Sequence, residues 1–85
     1  MATLIVLDTD LHTHQVTQKL TVQVEDGTVI SEENAVDLLI DVGFIVRDED
    51  FEESVDFYRD HEDISSNENA YTFLFAESTV TMILI

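Results

Sequence analysis

Eighty-five residues carry 19 carboxylates against three Lys or Arg, a formal charge of −16, with 45% apolar residues and no cysteine. That length supports one acidic domain over 1–85 with a small core, and the missing cysteine excludes disulfide and thiolate chemistry. The charge excludes nucleic acids and anionic membranes as direct ligands, because every phosphate would repel it, and points to a cationic partner.

The N-terminal run Met1 to Asp8 has a short apolar stretch and no basic flank, so it does not read as a signal peptide. No stretch approaches the roughly 20 apolar residues that span a bilayer. A soluble, cytoplasmic protein is the expectation. Thr3 to Thr9 reads as a strand apolar on both faces, hence interior. His12 to Gln15 reads as a turn or strand continuation. Val16 to Val24 alternates, with Leu20, Val22 and Val24 inward and Lys19, Thr21 and Gln23 outward. Asp26-Gly27 signals a turn, followed by a short extended Thr28-Val29-Ile30.

Ser31 reads as the N-cap of a first helix, with Glu32 and Glu33 in its first turn. Ala35, Leu38, Leu39 and Val42 form its apolar stripe, and Gly43 suits the residue just past its end. Phe44-Ile45-Val46 is a connector or short strand. Asp48 reads as the cap of a second helix to about Asp60, with Phe51, Val55 and Tyr58 buried. His61 to Asn69 reads as a polar loop. Tyr71 to Phe75 and Thr79 to Ile85 read as a hairpin, and the apolar last strand should be central in the sheet or paired with another subunit, which leaves a homodimer open. The fold class is therefore α+β, a four-stranded, mostly antiparallel sheet with two helices on one face, in the order ββααββ. This periodic apolar content separates the chain from acidic disordered segments.

Nine of the sixteen residues from Asp48 to Asp63 are acidic. Asp48, Glu52, Asp56 and Asp60 fall four apart along one helix flank, joined by Glu49, Glu53 and Asp63. Glu33, Asp37 and Asp41 repeat the spacing on the first helix. Neighbours at this spacing lie about 5–6 Å apart, close to successive phosphates on a nucleic-acid strand, and each like-charge pair costs an isolated helix about 0.2–0.5 kcal/mol. Arg59 is the local counter-charge, within reach of Asp56 or Asp63. These ten carboxylates are the candidate partner-binding surface, with Phe57 and Phe44 as candidate apolar anchors that also read as core.

In size, charge and helix-borne carboxylates the chain resembles the small acidic inhibitors that viruses and plasmids carry against restriction enzymes, CRISPR effectors or uracil-DNA glycosylase. The resemblance involves no aligned motif and implies no residue roles. It implies a nucleic-acid mimic, an anti-CRISPR or anti-restriction protein, that occludes the basic groove of a nuclease, CRISPR effector or DNA-repair enzyme. One alternative is a salt-adapted acidic interaction protein without mimicry, although seven isoleucines and five phenylalanines sit uneasily with that composition.

Another is a small metal-binding module built from Asp8, Asp10, His12 and His14, which would share one face of a continuous strand. A turn after Asp10 would scatter them. Counting from Asp48, Glu53 and Arg59 occupy the positions where an EF-hand needs Gly and Glu. With Gly27 and Gly43 alone there is no phosphate-binding loop, and no nucleophile elbow places a Ser. The expectation is a binding protein with no cofactor and no catalytic residues, not an enzyme.

Overall fold

A computed structural model describes residues 1–67 and 69–85, with side chains described outside 63–67. Strands β1 (Ala2–Asp10), β2 (Val16–Val24), β3 (Glu62–Asn67), β4 (Ala70–Leu74) and β5 (Ser78–Leu84) form one sheet in the order β2-β1-β5-β4-β3. Every pairing is antiparallel. Helices α1 (Ala35–Asp41) and α2 (Phe51–Arg59) lie between β2 and β3 in sequence. The four expected strands and two helices are all present, and the fold is α+β. The C-terminal strand β5 is central, bonded on one side to β1 and on the other to β4.

Register decides which face is buried. Leu4 and Val6 of β1 stand opposite Leu84 and Met82 of β5, and Tyr71 and Phe73 of β4 stand opposite Met82 and Val80. These side chains project from one face and merge with Ala35, Val36 and Leu39 of α1, Val55 of α2, and the connectors' Ile30 and Ile45. Both helices therefore cover the same face. Val36, outside the expected stripe, is buried as well.

The end of α1 follows from Gly43. Its φ of +83° is the left-handed conformation that a side chain disfavours. Gly43 N–H donates to the Ile40 carbonyl (3.1 Å) and Phe44 N–H to the Leu39 carbonyl (3.0 Å). Those two bonds make a Schellman cap that satisfies carbonyls the helix leaves open. It turns Phe44 back against the core, so the Phe44–Val46 segment is a connector.

Three expectations need correction. The segment His61 to Asn69, read as a loop, contains β3, which pairs with β4 through Glu62↔Leu74 and Ser66↔Tyr71. Its sequence lacks apolar alternation, and its extended state follows from ladder bonds to a buried neighbour. Thr28 to Ile30 is irregular. The helix starts are also later than expected. Ser31 Oγ accepts the Asn34 N–H (3.3 Å) while Asn34 Oδ1 accepts the Ser31 N–H (2.7 Å), a reciprocal box around one turn before α1 begins at Ala35. Asp48 likewise holds a lead-in turn, its Oδ1 accepting the Asp50 N–H at 3.0 Å, and α2 begins at Phe51.

Tyr58 is the hub between α2 and the sheet. Its ring stands edge-on to Phe44, Phe57, Phe73 and Phe75 at centroid distances of 5.4–6.1 Å. One residue beyond the α2 C-cap, His61 ties the chain to β4. Its Nδ1 bonds the Tyr58 carbonyl and its Nε2 lies 2.6 Å from the Tyr71 hydroxyl. A carbonyl can only accept, so Nδ1 carries a proton and donates it to Tyr58.

Candidate partner-binding surface

Glu33, Asp37, Asp41, Asp48, Glu49, Glu52, Glu53, Asp56 and Asp60 are all exposed. The side chain of Asp63 lies outside the described residues; its backbone pairs with Phe73 in β3. The exposed carboxylates do not form one straight row. A four-residue step overshoots a helical turn by about 40°, so a series spaced four apart winds round the helix. Asp48 precedes α2 altogether, and Asp60 is its C-cap.

Two groupings result. Glu52 and Asp56 border the seam between the helices, beside Ile40 and Arg59. On the same seam a cleft is lined by Glu32, Glu33, Val36, Asp37, Arg59 and His61. Arg59 therefore sits among five carboxylates from both helical segments. Its Nη2 stands 4.0 Å from Asp37 Oδ1, a cross-helix pair. Among the described residues it makes no ion pair with the expected Asp56, and the Asp63 side chain lies outside them. The Arg59 and Asp37 side chains are mostly exposed, so the pair adds little stability. The chain's other arginine, Arg47, lies 4.8 Å over the Phe51 ring.

The second grouping is mixed. Phe57 is 56% exposed and stacks on Phe75 at 4.5 Å, with ring planes 10° apart. Asp60, Glu62, Leu11, Leu74 and Ala76 line the cleft around this stack. Of the two candidate anchors, Phe57 is the one at the surface, whereas Phe44 packs against the core. Glu62, left out of the candidate set, is brought here by β3, which the sequence did not reveal.

The Asp8, Asp10, His12 and His14 set does not assemble. β1 ends at Asp10, and His14 takes φ 60° in the turn that follows. The Asp10 carboxylate accepts the N–H groups of His12 (2.8 Å) and Thr13 (3.1 Å). These bonds, the Thr13 one foremost, hold its pKa below the ordinary 3.8. Among the described residues no group of three His, Asp or Glu could hold a metal ion. No helix among them is long and apolar enough to cross a membrane.

Compared with known proteins, the chain matches no family model, and no curated protein or solved structure is detectably similar to it.

Proposed function

We propose that the protein is a nucleic-acid-mimicking inhibitor whose helical layer occupies the basic groove of a DNA- or RNA-handling enzyme. Anti-CRISPR or anti-restriction action in the cytoplasm of a host cell is the form that best suits its size and charge. The observation that supports the reading is the segregation of charge between the two layers. Eleven of the 19 carboxylates lie between Glu32 and Asp60, every one exposed. The outward positions of the three central strands carry none.

Acidity imposed by a salty surrounding would be spread over all solvent-facing surface. Acidity serving one partner is concentrated where that partner docks. Rows of Lys and Arg that normally meet phosphates can pair with these carboxylates, and the opposed fields speed encounter. Rim ion pairs contribute little affinity on their own. Phe57, exposed beside Asp60 and Glu62, supplies the apolar anchor that such an interface needs.

The test is a double charge reversal on the seam, Glu52→Lys with Asp56→Lys, assayed against purified CRISPR effectors, restriction enzymes and uracil-DNA glycosylase. The variant should lose inhibition of whichever enzyme the native protein blocks. Its fold should be as stable or firmer, since two reversals lower the net charge from −16 to −12 and set the lysines among the remaining carboxylates. Undiminished inhibition would refute the acidic seam as the docking surface.

A further inference from the structure

The side of the sheet turned away from the helices is chemically unlike the rest of the surface. Outward positions of β1, β5 and β4 hold only threonine, isoleucine, leucine and alanine. Ile5, Leu7 and Ile83 lie across the middle, and Leu74 ends β4 in the row shared with Thr79 and Thr9. Val16, opposite Thr9, and Ile85, bonded to Thr3, extend the apolar surface at its margins, 57% and 76% exposed. The first carboxylate met on this side is Glu62, on edge strand β3 opposite Leu74.

Several polar groups on this face are already paired within it. Thr72 and Thr81 hydroxyls pair at 3.3 Å, Gln23 Nε2 donates to Thr3 Oγ1 at 3.2 Å, and Gln18 donates to Thr21. Covering such a face leaves those bonds intact, which removes the main penalty for burying hydroxyls and amides.

We infer that this face is the contact between two copies of the chain, packed sheet against sheet. Two features select a second copy. The first is charge: with −16 on each chain, most approaches bring carboxylates together. Back-to-back stacking puts the two helical layers on opposite outer sides, separated by more than the Debye length of about 10 Å at 0.1 M salt. The second is area. Five strands about 4.8 Å apart, seven residues long at about 3.3 Å each, present about 500 Å² per copy. Together that is about 1,000 Å², the lower bound for a specific interface. The resulting dimer is a β-sandwich carrying an acidic helical layer on each outer side.

Sedimentation equilibrium across about 1–200 µM protein, at 0.1 M and 1 M NaCl, tests this directly. The expected result is twice the 9.7 kDa chain mass, with association tightened by salt as residual repulsion is screened. Thr81→Glu and, separately, Thr72→Glu should weaken the dimer at least tenfold while circular dichroism stays native. As a measurement independent of those variants, Thr81→Cys introduces the sole thiol. Its alkylation should slow at least tenfold from 1 to 200 µM, whereas that of Asp37→Cys should not. A monomer under all these conditions, or a dimer indifferent to both glutamates, overturns the inference. The opposite salt response separates it from the inhibitor reading, in which partner binding weakens as salt rises.

Discussion

Phe57 lies flat on Phe75, ring centroids 4.5 Å apart, yet more than half its surface faces solvent. A ring stacked on Phe75, met edge-on by Tyr58 and left open on its outer side is positioned without being consumed by the core. Phe57→Ala should therefore lower stability by no more than about 1.5 kcal/mol, the scale of one aromatic pair. It should weaken inhibition of a target enzyme by about 30-fold or more, the effect of losing a hot spot worth about 2 kcal/mol. Equal losses of stability and affinity in denaturation and titration measurements would make Phe57 merely structural.

Burying the Tyr71 side chain to 1% exposure makes its bond to His61 a matter of stability. His61→Leu removes that partner and the bond to the Tyr58 carbonyl together. A loss of about 1–3 kcal/mol is expected in urea unfolding, with the largest chemical-shift changes at the α2 C-terminus and β4. A change below about 0.5 kcal/mol would contradict the arrangement.

Acid should release the β1–β2 turn at an unusually low pH. The N–H groups of Thr13 and His12 stabilise the ionised Asp10 carboxylate and lower its pKa. Its contribution to folding is therefore complete above the ordinary carboxylate pKa and is lost as pH falls through the lower folded value. Carboxyl-carbon NMR should place the Asp10 midpoint below 3.8; a midpoint at or above that value would contradict the turn geometry.

At the other end of the scale, burial raises the Tyr58 pKa above the usual 10.0, helped by the negative charge of Asp8. Because the folded chain favours the neutral phenol, this contribution is present below pH 10 and lost as pH rises through the folded pKa. Absorbance at 295 nm should show a phenolate step above pH 10 that disappears in Tyr58→Phe. An ordinary titration for that residue would contradict its position at the aromatic hub.

Local rules made much of the fold legible. Residues 20–24 alternate because β2 is an edge strand with one face on the core. Residues 16–19, beyond a register shift opposite Val6 and Leu7, are exposed, so the strand's bounds match the expectation but not every side chain's face. Gly43 announced the end of α1 because few other residues tolerate its φ. Strand β3 was hidden, since Glu62-Asp63 and Ser65-Ser66-Asn67 show no apolar period and become a strand only beside β4. The carboxylates were legible as a population and not as an arrangement. Spacing by four suggested straight rows, but Asp48 falls before α2 and the rest wind round it. Arg59 binding Asp37, 22 residues away in sequence, is a tertiary event with no local signal.

The most direct measurement is displacement of fluorescent duplex DNA from a purified CRISPR effector, restriction enzyme or uracil-DNA glycosylase, repeated from 0.05 to 1 M NaCl. If the acidic helical layer stands in for phosphates, the protein displaces DNA from at least one of them. Its affinity then falls steeply and log-linearly with salt, and the Glu52→Lys, Asp56→Lys variant fails to displace. Displacement from none of these enzymes, in a protein that folds only near molar salt, would contradict the account and mark the acidity as an adaptation to the surrounding medium.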